Sequence, residues 1–229
     1  MPAGKSDFAA KRTHMLLEIA AHAVLLRDRI GKAALEPRVM AAMGTVPRHI
    51  FVPAEIRQYA YLDQPLPIGY GKTISQPFMV ALMTDLLELR EDDRVLEIGT
   101  GLGYQAAVLA SLARRVHSVE IIDELAQDAA GRLKEAGCNA VEIKVANGYY
   151  GWPEHAPFDK IVVTTAPQLV PPPLLAQLNR SGRMVIPCGL PDAQQQLMLV
   201  DKDAAGRISM REILPVRFTP LEDEAAGQG

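Results

Sequence analysis

Cysteine is scarce in this chain of 229 residues. Its two thiols, Cys138 and Cys188, match no disulfide or metal-ligand spacing. The expectation is therefore two small, buried or half-buried residues in a reducing compartment, and no metal site. No apolar run reaches the length of a membrane span. Residues Met1 to Lys11 carry charges and lack the apolar stretch of a signal peptide. Charge of one sign is also missing. The net charge is −3, with acids and bases interspersed, which argues against a nucleic-acid binder that works by neutralising phosphates. No internal repeat is present. These absences lead us to expect a cytoplasmic monomer with no nucleic-acid or membrane partner. What remains is ordinary for a globular core, with 48% of residues apolar and length enough for one α/β domain with additions.

The chain is organised around Arg94-Val95-Leu96-Glu97-Ile98-Gly99-Thr100-Gly101-Leu102-Gly103-Tyr104. Val95 to Ile98 reads as a buried strand, and Tyr104 to Ala110 as a helix. Alternate glycines join them, where the backbone must turn sharply and a ligand can approach without meeting a Cβ. The helix start adds unpaired N–H groups and a partial positive charge. The dinucleotide fingerprint is G-x-G-x-x-G, whereas the spacing here is G-x-G-x-G after Glu97. That pattern resembles the first motif of class I S-adenosylmethionine-dependent methyltransferases. Arg115 to Ile121 reads as the next strand, with Glu120 near its end. A carboxylate about 20 residues past the glycines can accept both ribose hydroxyls. The bland alternatives are a tight strand-to-helix connection and a capping or solvated acid.

Arg12 to Ile30 has the periodicity of an amphipathic helix, with Gly31 as its stop. His14 and His22 lie on it without a partner pattern and read as surface or packing residues. Glu36 to Met43 reads as a short helix with Pro37 in its first turn. Val46 to Pro53 reads as an extended, proline-fixed connector. Phe78 to Leu87 reads as an amphipathic helix opened by Pro77. Ser75, just before it, is either the N-cap or part of an anion site made by a hydroxyl and free N–H groups. Asp123 to Glu135 is a helix and Val141 to Val145 a third strand. The turn-rich loop from Ala146 to Pro153 follows. Asn147 there can meet an adenine edge, or can be a plain Asn-Gly turn. Phe158 to Thr165 and Gly182 to Gly189 are the fourth and fifth strands, with a short helix from Pro171 to Leu178 between them. Gln194 to Asp201 and Ile208 to Phe218 form a last, antiparallel pair. The fold expected is α/β, a doubly wound and mostly parallel sheet with N-terminal helices. Residues 1–221 are expected to form one domain with a helical cover over about 1–90, and 222–229 a disordered tail.

Several runs together resemble protein-L-isoaspartate (D-aspartate) O-methyltransferase, over about Arg38 to Leu221. They are Val46-Pro47-Arg48 with Phe51-Val52-Pro53, Pro65 to Gly69 through Thr73-Ile74-Ser75-Gln76-Pro77, the glycine motif, Gly148 to Pro153, and Leu214 to Phe218. The resemblance implies methyl transfer from S-adenosylmethionine to the free α-carboxylate of L-isoaspartyl residues in damaged proteins. It implies a catalytic Ser75 within a substrate segment of Thr73, Ile74 and Ser75. The cofactor residues expected are Glu97, Gly99, Thr100, Gly101, Gly103, Tyr104, Glu120, Asn147 and Gly148. The partners implied are isoaspartyl proteins and peptides. Two positions depart from the family, which often has Gln at Lys72 and usually Asp at Asn147. The amide of Asn keeps an acceptor and loses a charge. Competing readings are a relative acting on Asp of a dedicated peptide, a non-catalytic cofactor-binding protein, and an NAD oxidoreductase, which the glycine spacing disfavours.

Overall fold

A computed structural model describes residues 5–190 and 192–222. Helices α1 (Lys5–Leu25), α2 (Arg27–Ile30) and α3 (Pro37–Thr45) open the chain. Gly31 stops α2 in the left-handed region at φ 78°, where glycine has no Cβ penalty. The connector expected to be extended is so only at its ends. Between its two prolines Arg48–Phe51 closes a 3-10 turn, with Ile50 N donating to Pro47 O at 2.9 Å. The hairpin β1 (Leu66–Gly69) and β2 (Lys72–Ile74) follows, which the sequence pattern did not announce.

Helix α4 (Pro77–Leu86) corrects a second expectation. It is buried on every side rather than amphipathic. It lies against α1 and α3 and also against α5 (Tyr104–Ala110), so no face is left for water.

The remaining elements are β3 (Arg94–Ile98), β4 (Arg115–Glu120), α6 (Asp123–Glu135), β5 (Val141–Val145), β6 (Phe158–Val163), α7 (Pro172–Gln177), β7 (Leu178–Cys188), β8 (Gln195–Lys202) and β9 (Ile208–Val216). β3 to β9 form one sheet in the order β5-β4-β3-β6-β7-β8-β9. β5, β4, β3, β6 and β7 run parallel, and β8 and β9 are the expected antiparallel addition. β7 starts directly after α7, earlier than the expected Gly182. The central strand β3 is buried on both faces, as Val95, Leu96 and Ile98 show, which is why it reads as a nearly continuous apolar run. After β3 the chain winds outward through β4 and β5, then returns to β6 on the other side of β3. The carboxyl ends of β3 and β6 are thus the point where the winding reverses, and open α/β sheets bind ligands there. Cys138 and Cys188 are free and half-buried, as expected.

Candidate active site

The glycine turn lies at that reversal point. Gly99 has φ +92°, and a Cβ there would stand 2.4 Å from Thr164 Oγ1. Thr164, at the end of β6, is shared between Gly99 O at 2.7 Å and Ile98 O at 3.0 Å. Gly101 has φ +54°, and its N–H donates to Glu120 Oε2 at 2.8 Å. Glu120 Oε1 accepts from Ile121 N and Ile122 N at 3.0 and 3.1 Å. A carboxylate has about four acceptor sites, so one remains for a ligand in the cleft that Glu120 lines. Gly103 caps α5 and turns its missing side chain toward Leu133 of α6, away from the cleft.

Two expected cofactor residues lie beneath the turn rather than on its wall. Thr100 Oγ1 is 2.6 Å from Ser118 Oγ, and Ser118 donates in turn to Glu97. Glu97 is fully buried, its Oε1 has no partner among the described residues, and burial pushes its carboxyl up to about 8 against the opposing Ser118 hydrogen bond. It therefore supports the turn as a neutral acid at pH 7. Asn147 behaves as an Asx cap: its Oδ1 accepts from Tyr149 N at 2.9 Å. Its neighbour Gly148 forms the wall, because a Cβ there would be 2.4 Å from Ile98 Cγ2. The cleft is closed on one side by Thr219 to Glu222. Lys72 and Glu222 pair across its mouth. Of the tail expected to be disordered over 222–229, Glu222 is placed by this pair, and residues 223–229 lie outside those described.

A second groove of ≈ 990 Å³ is lined by Ser75, Gln76, Phe78 and His22, and by Leu214 to Thr219. A smaller space of ≈ 370 Å³, reached by Ser75, Tyr104 and the glycine turn, lies between the two. Thr73 and Thr164 line all three. Tyr104 is buried, its ring 4.6 Å from the Arg48 guanidinium. Burial raises its hydroxyl to about 12, so it stays neutral.

Ser75 is not the N-cap of α4. The residue at the cap position is Gln76, and it makes no side-chain cap bond. Asp63 does the capping from outside the segment: Oδ1 accepts from Phe78 N at 2.7 Å and Oδ2 from Gln76 Nε2 at 3.0 Å. His22 Nδ1 lies 2.7 Å from Asp63 Oδ2, so His22 has the partner that the sequence did not show. Arg48, fully buried, fixes the other side of the segment. Its Nη2 donates to Ser75 O at 2.7 Å and its Nε to Ala60 O at 2.8 Å. The Ser75 backbone is thus held, while among the described residues its hydroxyl makes no hydrogen bond. Sequence reasoning missed Asp63, Arg48 and Thr164 as site residues. Thr164 had one signal, its place at the carboxyl end of the fourth strand.

A parallel, doubly wound sheet whose first glycine turn meets a ribose-type acid and a facing substrate groove defines a class I S-adenosylmethionine-dependent methyltransferase. The profile of the family described as Protein-L-isoaspartate(D-aspartate) O-methyltransferase matches residues 20–226. The chain belongs to this family. Protein-L-isoaspartate O-methyltransferase 1 of Polaromonas sp. (strain JS666) is 60% identical over 221 residues, which covers 96% of this chain and 93% of the relative. Protein-L-isoaspartate O-methyltransferase 2 of Syntrophobacter fumaroxidans is 57% identical over 219 residues, 96% of this chain and 89% of the relative. A solved protein-L-isoaspartate O-methyltransferase superposes with a TM-score of 0.79 at 28% identity, over 93% of this chain and 66% of that one. A Plasmodium falciparum neighbour, solved with S-adenosyl-L-homocysteine, gives 0.75 at 22% identity, over 91% of this chain and 97% of that one. The activity is transfer of a methyl group from S-adenosylmethionine to L-isoaspartyl carboxylates in damaged proteins.

Two outcomes follow from this geometry. Asp63→Ala leaves the Phe78 N–H buried without an acceptor, so it should lower unfolding free energy by about 1–3 kcal/mol in denaturant titrations. No loss would mean that α4 is capped in another way. Glu97 keeps its proton in the fold up to about 8 and loses it near 4.5 when unfolded. Stability should therefore fall as pH rises through that window. Glu97→Gln cannot ionise, so its melting temperature relative to the parent should climb across the same window. A difference independent of pH would show that Glu97 is ionised in the fold.

Proposed function

We propose that Ser75, with Thr73 and Ile74, holds the isoaspartyl carboxylate, and that the glycine cleft holds S-adenosylmethionine beside it. The observation that carries this reading is that Thr73 and Thr164 line both the glycine cleft and the Ser75 groove, so the two open onto one point. The cleft fits the cofactor because Gly99, Gly101 and Gly148 line it beside Glu120, whose carboxylate keeps an acceptor site for it. Glu120 would take a ribose hydroxyl with its remaining acceptor site and Gly99, Gly101 and Gly148 the adenosyl body, with Thr100, Gly103 and Tyr104 shaping the turn and Glu97 supporting it from below. Asn147 shapes the adenine loop, and a second lone pair on its Oδ1 is left for the adenine amino group. When bound, the cofactor supplies an electrophilic methyl group on a sulfonium.

The protein need not supply a base. The accepting carboxylate has an ordinary pKa of about 4 and is already ionised at pH 7. Its work is alignment and exclusion of water. The Ser75 hydroxyl can donate to one carboxylate oxygen and leave the other to attack. A single neutral donor suits this role, because attack consumes negative charge and tighter holding would stabilise the ground state. The resulting ester can close to a succinimide away from the enzyme. Residues 1–221 acting as one monomeric domain in the cytoplasm complete the proposal. Met15 and Ile19 of α1 share one core cluster with Val95 and Val162 of the sheet, which supports a single domain. The charge of −3 supports the absence of a nucleic-acid partner. No helix among the described residues is long and apolar enough to cross a membrane.

Mass spectrometry of an isoaspartyl peptide and its normal-Asp twin, each incubated with enzyme and cofactor, tests the reading. One methyl group should appear on the first peptide and none on the second. Glu120→Ala should need more cofactor for the same rate, by about 1.5–3 kcal/mol for each charge-assisted bond lost. Equal methylation of both peptides would contradict the substrate assignment, and unchanged cofactor affinity would remove Glu120 from the site.

A further inference from the structure

Away from the catalytic clefts, three side chains converge from separate elements. His117 on β4 and Glu142 on β5 are register partners on adjacent parallel strands. His155, at the end of the 3-10 turn Pro153–His155, brings its ring to 4.3 Å from that of His117. His117 Nε2 and His155 Nε2 each lie 3.8 Å from an oxygen of Glu142. One ligand atom from each of the three falls within 4.8 Å of the others. Local spacing does not announce this group, because its members are 25 and 13 residues apart along the chain. We infer that His117, Glu142 and His155 form a binding site for a zinc-class divalent cation that pins the cofactor loop to the sheet.

The ligand chemistry selects the class of ion. Two imidazoles and one carboxylate suit zinc, with a fourth position left for water. Arg94 and Arg115 face the group, so an ion held by charge alone, such as calcium or magnesium, is disfavoured. Bonds of about 2.0–2.1 Å in a tetrahedron set ligand atoms about 3.3 Å apart. The observed separations must therefore shrink by about 0.5–1.5 Å, on that geometry. Glu142 and His155 can supply this, with side chains 46% and 35% exposed. His117 is the fixed member, 5% exposed, and its Nδ1 is buried without a partner. No hydrogen bond engages the side chains of the three among the described residues. Burial, and then His155 beside it, holds the His117 pKa down to about 4, so its ring nitrogens are free of a second proton at pH 7.

The consequence lies in the loop. Trp152 packs edge-on against both rings, at 5.5 Å from His117 and 4.8 Å from His155. Gly148, on the same loop, forms the wall of the cofactor cleft. An ion joining His155 to β4 and β5 would fix that loop at its far end.

Calorimetric titration of the whole protein with Zn²⁺ in a non-chelating buffer tests the inference. The expected result is one site of micromolar affinity and a raised melting temperature. Glu142→Gln, at an exposed position, and His155→Ala, at a half-buried one, should each weaken binding by more than about tenfold. X-ray absorption should show nitrogen and oxygen neighbours only. Affinity unchanged in both variants, sulfur in the shell from Cys138 or Cys188, or no saturation below millimolar ion would each overturn the site.

Discussion

The carboxylate of Asp63 is the interaction on which the catalytic segment depends. It accepts from the first free N–H of α4 and from the Gln76 side chain, and it stands beside His22. A helix start must find acceptors for its first N–H groups. Had Ser75 met that need, its hydroxyl would be spent on its own helix. Asp63 meets it from the preceding loop, and the serine is released. The burial of every residue of α4 makes the requirement strict, since a buried N–H left without an acceptor is costly. Arg48 completes the arrangement by holding the Ser75 carbonyl from the opposite side. The backbone is fixed by two charged groups, and the Ser75 hydroxyl is left without a hydrogen bond among the described residues.

The two carboxylates of the glycine region divide their work by depth. Glu97, at the bottom, is kept neutral by burial and braces the turn through Ser118 and Thr100. Glu120, at the wall, gathers three backbone N–H groups and retains a lone pair toward the cleft. The Thr164 hydroxyl, packed against Gly99, ties the end of β6 to the turn after β3. The point shared by both clefts is made by the end of β6 at Thr164, by the hairpin residue Thr73 and by Thr219 after β9.

Much of this was legible in the sequence. Buried parallel strands declare themselves as apolar runs, and the helix and strand boundaries of β4, α6 and β5 follow their periodicity closely. The glycine turn and Glu120 were readable because local spacing dictates them. What local spacing cannot show is pairing at a distance. Ser75 beside a proline-started helix looks like a cap, and only the fold brings Asp63 to the helix instead. His22 seemed unpartnered for the same reason, and the His117, Glu142 and His155 group needs two strands in register plus a returning loop. The 3-10 turn at Arg48–Phe51 escaped because prolines fix their own φ and restrain the residue before them, but leave those between free to turn. The all-round burial of α4 escaped because a short helix rich in apolar residues looks amphipathic until its neighbours are known.

The central claim is that the Ser75 hydroxyl serves the substrate and not the helix. Ser75→Ala separates the two in one protein, measured for melting temperature, cofactor affinity and turnover on an isoaspartyl peptide. The account predicts an unchanged melting temperature, unchanged cofactor affinity and a marked fall in turnover. A Ser75→Ala enzyme that melts early while turning over its peptide at the parent rate would contradict it.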